Sequence, residues 1–171
     1  MKLRRINRAW IAGGVVLALT SCTTSDRPVG PHLGTPTRRT PYDSKYERVR
    51  IYLREVRVKI KYTPEEANRD YWQLPEETEA LGTGDCEDMA IWLYVKMKRA
   101  GIEAVRLCIG KHTTTADEMH AWLLWEDGKG LYILDPSVSD EPLRHDRIQP
   151  DNYIPYYSYD GDRKWRHRKT G

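Results

Sequence analysis

The sequence predicts an α+β fold, with helices gathered in the first part of a domain and an antiparallel sheet in the second. Two stretches, 42–60 and 86–100, repeat apolar side chains every three or four residues, the period of a helix with one buried face. Beyond residue 104 the apolar residues alternate in short runs separated by glycine and acidic turns, the period of strands. At 171 residues, 39% hydrophobic and 31% charged, the chain has room for one domain with a real core and little more.

In the first stretch, apolar or aromatic residues stand at 46, 49, 53, 56 and 60, with Arg and Glu on the opposite face. Thr63-Pro64-Glu65-Glu66 pairs an N-cap with proline at the first helical position, the start of a short helix that Tyr71-Trp72-Gln73-Leu74-Pro75 breaks. Pro75-Glu76-Glu77 can start another turn, ending by Gly82. The main helix is expected from Cys86 to about Ala100, capped by Asp85 with Asp88 three residues on. Met89, Ala90, Leu93, Met97 and Ala100 make its buried stripe, and Gly101 ends it. Val105 to Ile109 reads as a strand and Lys111 to Asp117 as a polar loop. Residues 120–125 and 131–135 form a hairpin across the 126–130 turn, so that the sheet reads as a meander. After Pro136 the chain reads as loop, with a late hairpin around Asp160-Gly161.

Residues 1–22 read as an export signal. A basic start precedes an apolar stretch, Trp10 to Leu19, too short to span a bilayer as a helix. Leu19-Thr20-Ser21-Cys22 resembles the bacterial lipobox, which makes Cys22 the lipidated N-terminus. An ordinary signal peptide followed by a chance cysteine is the alternative. Thr23 is not the aspartate that retains lipoproteins in the inner membrane under enterobacteria-like sorting. The expected location is therefore the cell envelope, lipid-anchored at the outer membrane and facing the periplasm. Residues 23–41, rich in Pro, Thr and Gly, form a flexible tether, and 42–171 the domain. Removing the signal lowers Lys+Arg from 28 to 24 against 25 acidic residues, which argues against nucleic acid as a partner. The basic end, Arg163 to Lys169, is a solvated tail or a contact for anionic lipid or polymer. Cys86 and Cys108 invite a disulfide in an oxidising compartment, but Cys108 in its alternating apolar run reads better as a packed hydrophobe.

The chemistry lies in Asp85-Cys86-Glu87-Asp88, with His120 and Asp135 downstream. Attack on a carbonyl needs a thiolate, a base for its proton and a group that orients the base. The first turn of a helix offers Cys86 unpaired N–H groups and the positive end of the dipole, which lower a thiol pKa and can receive an oxyanion. The flanking acids oppose this, so they must cap the helix, bind a cation or contact a basic substrate. Residues paired across antiparallel strands share a constant index sum and point to one side. The turn length permits sums of 255 or 257; His120 then faces Asp135 directly or lies diagonal to it on the same face. His32, His112, His145 and His167 lack such a partner and read as surface residues.

The stretches Asp70-Tyr71-Trp72, Gly82-Thr83-Gly84-Asp85-Cys86-Glu87-Asp88-Met89-Ala90, Met119-His120-Ala121-Trp122 and Leu134-Asp135-Pro136 resemble the bacterial transglutaminase-like cysteine peptidases. The similarity covers roughly residues 42–160. It implies a papain-like transglutaminase core, a central helix carrying the nucleophile packed on an antiparallel sheet, with Cys86 as nucleophile, His120 as base and Asp135 as orienter. Relatives include periplasmic, calcium-dependent proteases that cut giant surface adhesins, though these are generally longer and not plainly lipid-anchored. The resemblance maps calcium ligands to Asp85, Glu87 and Asp88, and carboxylate oxygens suit calcium; capping alone is the other use for these acids. No Gln stands a few residues before Cys86 to donate to an oxyanion; Trp72 is the candidate donor, with packing its alternative. The function implied is a thiol endopeptidase acting on a cell-surface or envelope protein. A transglutaminase-like acyl transferase and an inactive lipoprotein scaffold are the alternatives.

Overall fold

A computed structural model describes residues 45–65, 71–113 and 119–168, all within one compact unit. The export signal, Cys22, the 23–41 tether, most of the helix expected from Thr63 and most of the loop before His120 lie outside the described residues. The chain order is α1 (Lys45–Lys59), β1 (Lys61–Tyr62), α2 (Pro75–Leu81), β2 (Thr83–Gly84), α3 (Cys86–Arg99), β3 (Val105–His112), β4 (His120–Glu126), β5 (Leu131–Leu134), β6 (Leu143–Arg144), β7 (Tyr153–Asp160) and β8 (Arg163–Arg166). A single 3-10 turn, His145–Arg147, follows β6. The helices precede the large sheet, as their two periods require.

The first helix buries Val49, Leu53, Val56 and Ile60, its expected stripe. Val49 and Leu53 pack with Ala90, Leu93 and Met97 of α3 against Leu107, Leu123, Trp125 and Leu134 of the sheet. Fully burying side chains of this size contributes about 1.5–3 kcal/mol each. The outer face of α1 also has a task. Arg57 Nη1 donates to the carbonyl of Pro136 at 2.7 Å, and Arg54 and Arg50 pair with Glu141, so α1 holds the segment just after Asp135.

The six-stranded sheet runs β6-β5-β4-β3-β7-β8, which is not the expected meander. After β6 the chain returns to the far side of β3, and β7 becomes an inner strand there. The late hairpin expected around Asp160-Gly161 is present as β7–β8, but its first strand reaches back to Tyr153 and pairs with β3 in the part that was expected to be loop, despite Pro155, which lacks an N–H. The structure accommodates it at a register shift: Ile109 pairs with Tyr157, but Gly110 pairs with Pro155. The pairing with β7 also carries β3 on to His112, three residues beyond the strand expected from alternation.

Gly110 is a glycine for steric reasons. A Cβ there would stand 2.1 Å from the carbonyl oxygen of Ile154 and 2.8 Å from the Trp122 ring. Gly110→Ala should therefore lower stability by about 1–3 kcal/mol, the cost of forcing an atom into filled space. Urea denaturation reads this directly, and an unchanged midpoint would contradict the close approach of β3 and β7.

Candidate active site

The nucleophile position is built by a reciprocal cap. Asp85 opens α3, the Asp88 N–H donates to Asp85 Oδ1 at 3.5 Å, and the Asp85 N–H donates to Asp88 Oδ2 at 3.3 Å. Asp88 Oδ1 accepts the Gln73 N–H at 2.8 Å, tying the preceding loop to the helix start. Gly84 allows this, since a Cβ there would lie 2.7 Å from the Asp88 Cβ. Cys86 occupies the first helical position and is buried, in the same apolar cluster as Ala121. The Ala121 N–H points at its sulfur and favours the thiolate.

The acids act in the other direction. Cys86 Sγ lies 3.2 Å from Glu87 Oε2, and burial followed by the Glu87 charge pushes the thiol well above its ordinary value. The depressed thiol expected from the helix terminus is thus not present in this state; a buried site with a carboxylate beside the sulfur outweighs the dipole. Cys86 and Cys108 are both free and buried, which removes the disulfide and leaves Cys108 as a packed side chain. Burial also raises the Cys108 thiol, to about 12.

His120 and Asp135 meet. Leu123 pairs with Leu134 and Leu124 with Ile133, an index sum of 257, so the two residues are diagonal neighbours on one face. His120 Nε2 lies 2.6 Å from Asp135 Oδ2. An ionised Asp135 accepts the Nε2 proton, which leaves Nδ1 as the basic nitrogen. Asp135 itself has no solvent exposure. Burial alone would raise its carboxyl, but the His120 bond, the Ser137 hydroxyl at 2.7 Å and the Tyr153 hydroxyl at 2.9 Å hold it below the usual carboxylate range. The Ser137 N–H adds a fourth bond, 3.1 Å to Oδ1. The sulfur contacts Glu87 rather than the imidazole, although Ala121, whose N–H faces the sulfur, directly follows His120.

Three residues around this pair escaped sequence reading. Ser137 was within reach of it, because an Asp followed two residues later by Ser is a turn in which the carboxylate takes the N–H. Tyr153 carried no local signal; it arrives at the start of β7, in the part of that strand that was expected to be loop. His112 corrects an expectation, for it is buried rather than on the surface, with its ring 5.4 Å from that of His120 and 4.4 Å from that of Tyr153. Burial and the neighbouring His120 lower its pKa, which favours the neutral ring.

Trp72 is half-buried and packs against the cluster that contains Cys86. Among the described residues no three acidic, histidine or cysteine side chains converge to hold a metal ion. Asp85 and Glu87 nevertheless fit a cation in part. Burial and the adjacent Glu87 charge raise the Asp85 carboxyl, with Glu65 adding to the repulsion. Asp88 fits less well, since both its oxygens already accept backbone N–H groups.

The model of the transglutaminase-like superfamily matches residues 34–136, more than half of the chain. The chain belongs to this superfamily. Among solved structures it is similar to calcium-bound LapG of Legionella pneumophila, at 26% identity and a TM-score of 0.57 over 71% of this chain and 73% of that one. EGTA-treated LapG of the same organism gives 26% identity and a TM-score of 0.59, over 72% and 69% of the two chains. No curated protein matches the sequence. The α+β, papain-like core implied by the resemblance is therefore the fold observed, with transglutaminase-like α3 on the antiparallel sheet.

Two predictions follow from the geometry. Tyr153→Phe removes a hydrogen bond to a buried carboxylate and should cost about 1.5–3 kcal/mol of stability, read by chemical denaturation; no loss would mean the hydroxyl does not support Asp135. The second concerns pH. Burial pushes the Asp88 carboxyl from 3.8 up to about 6, so the folded state holds a proton that the unfolded chain releases. Its contribution is present at low pH and lost as pH rises through about 6. In chelator, the melting temperature of Asp88→Asn should therefore fall less between pH 4 and 7 than that of the wild type; parallel curves would contradict the assignment.

Proposed function

We propose that this chain is a periplasm-facing lipoprotein thiol endopeptidase, anchored through Cys22 at the outer membrane and cutting an envelope or cell-surface protein. The observation that supports it best is the pair His120–Asp135, sealed from solvent and carried on the residue next to the N–H that faces the Cys86 sulfur. His120 Nδ1 takes the thiol proton, and the sulfur attacks the peptide carbonyl. The developing oxyanion is held by N–H groups at the start of α3 and by the Trp72 indole. His120 then returns its proton to the leaving amine, and water activated by the same nitrogen frees the acyl-enzyme. Asp135 keeps Nδ1 basic and stabilises the imidazolium.

Asp85 and Glu87 would hold calcium, as the calcium-bound form of the similar LapG suggests. The bound charge would cancel that of the acids beside the sulfur, which together with burial keeps the thiol neutral. With a cation held there, Glu87 would be taken from the sulfur, and His120 would be the better acceptor of the thiol proton. If an amine rather than water intercepts the acyl-enzyme, the products are cross-links instead of fragments, and mass spectrometry separates the two.

The test uses iodoacetamide labelling in calcium and in EGTA. Cys86 should label far faster than Cys108 in calcium, and His120→Ala should slow it by about a hundredfold or more, the usual worth of a positioned base. In parallel, surface-protein extracts should yield new fragments with wild type and none with Cys86→Ala. Equal labelling of the two cysteines, with no fragments, would leave a scaffold that retains the fold without the chemistry.

A further inference from the structure

One row of register partners crosses the sheet from the nucleophile to its edge. Ala121, whose N–H faces Cys86, pairs with Ile109, Ile109 with Tyr157, and Tyr157 with Arg166. Leu107, Tyr159 and Lys164 form the next row on the same side. Paired residues share a face, and Ala121 and Leu107 both pack under the helices. Tyr157, Tyr159, Lys164 and Arg166 therefore lie on the helix side of the sheet. Yet α3 packs on β3 and β4, and neither tyrosine belongs to the buried core. On the β7–β8 part of this face α3 reaches the hairpin end through Tyr94 and Lys98, and Tyr157 and Tyr159 are only half-buried, so it forms a partly open shelf.

The shelf is preorganised and positive. Lys164 Nζ stands 4.2 Å from the centre of the Tyr157 ring and 5.4 Å from that of Tyr159, so the two rings hold the ammonium in place. Lys164 and Arg166 are exposed, and among the described residues neither forms an ion pair. Of the two acids at the hairpin turn, Asp160 and Asp162, Asp160 is already satisfied by Lys98, Arg163 and the Tyr94 hydroxyl. Glu65 and Glu87 stand close to Asp85 at the start of α3. The chain is thus acidic around the start of α3 and basic on the β8 end of the row.

We infer that the Tyr157–Tyr159–Lys164–Arg166 shelf is a substrate subsite that selects an extended polypeptide carrying acidic side chains. Charge complementarity on a mostly exposed surface supplies selection and orientation more than raw affinity. Strands are spaced about 4.8 Å apart and an extended chain rises about 3.3 Å per residue. The three steps from β4 to β8 then place the acidic residues about four positions from the scissile bond. This inference rests on the peptidase reading for its direction of use, but the subsite can be tested without hydrolysis.

The test is protection of Cys86 from iodoacetamide, in calcium, by short synthetic Ala–Glu, Ala–Gln and Ala–Lys peptides, with rates taken as ratios to the peptide-free rate of the same protein. The Ala–Glu peptide should slow labelling by about fivefold, the scale of two exposed ion pairs, and the effect should shrink with salt. Lys164→Glu with Arg166→Glu should abolish that protection and transfer it to the Ala–Lys peptide; the milder Lys164→Gln with Arg166→Gln should abolish it without the transfer. Equal protection by all three peptides, protection by none, or protection that survives both double substitutions would overturn the subsite. Protection by the acidic peptide with no cleavage of any protein substrate would instead sink the peptidase reading and leave the shelf standing.

Discussion

Asp135 is the constraint around which the catalytic half of the domain is arranged. A carboxylate with no exposure to water costs several kcal/mol unless it is paired and hydrogen-bonded. Here four donors surround it: the His120 ring, the Ser137 N–H and hydroxyl, and the Tyr153 hydroxyl. They come from β4, from the loop after β5 and from β7, so the charge is stable only when three separate parts of the sheet are assembled. Arg57 of α1 fixes the same loop from outside through Pro136. The sheet order serves this need, since β7 on the far side of β3 brings the Tyr153 hydroxyl, the fourth donor.

The other half of the site carries the opposite problem. A buried sulfur at a helix start has N–H groups to stabilise its charge, and it also has Glu87 within hydrogen-bond distance. The structure resolves this competition in favour of the neutral thiol. Asp88 takes little part, since it closes the cap and ties Gln73 to the helix. Glu87 stands outside the cap, while Asp85 shares it through Oδ1; a cation held by these two acids would oppose their negative field at the sulfur. On the proposed function, the ionisation of Cys86 would be set by what occupies this acidic flank.

Much of this was legible in the sequence because it is local. The stripe at 49, 53, 56 and 60, the cap Asp85 with Asp88, Gly82 in its left-handed turn at φ 64° and the index sum of the β4–β5 hairpin each depend on residues a few positions apart. The meeting of His120 with Asp135 could be deduced from parity alone. The failures were non-local. Nothing near Tyr153 announces a partner at Asp135, and the late hairpin gave no sign that its first strand pairs with β3. His112 looked free because its neighbours, His120 and Tyr153, come from strands on either side of it. The thiol was misjudged for a different reason: the helix terminus and the acids were both visible, but only burial decides which prevails.

The central claim is that the His120–Asp135 pair governs ionisation of Cys86 once the acidic flank is neutralised. Thiolate absorbance in the ultraviolet, taken as wild type minus Cys86→Ala across pH, measures that ionisation directly. With calcium present, the thiol should titrate well below its position in EGTA, and His120→Ala should erase most of the difference. A titration that ignores both calcium and His120 would show that the sulfur is a buried structural thiol and not a nucleophile.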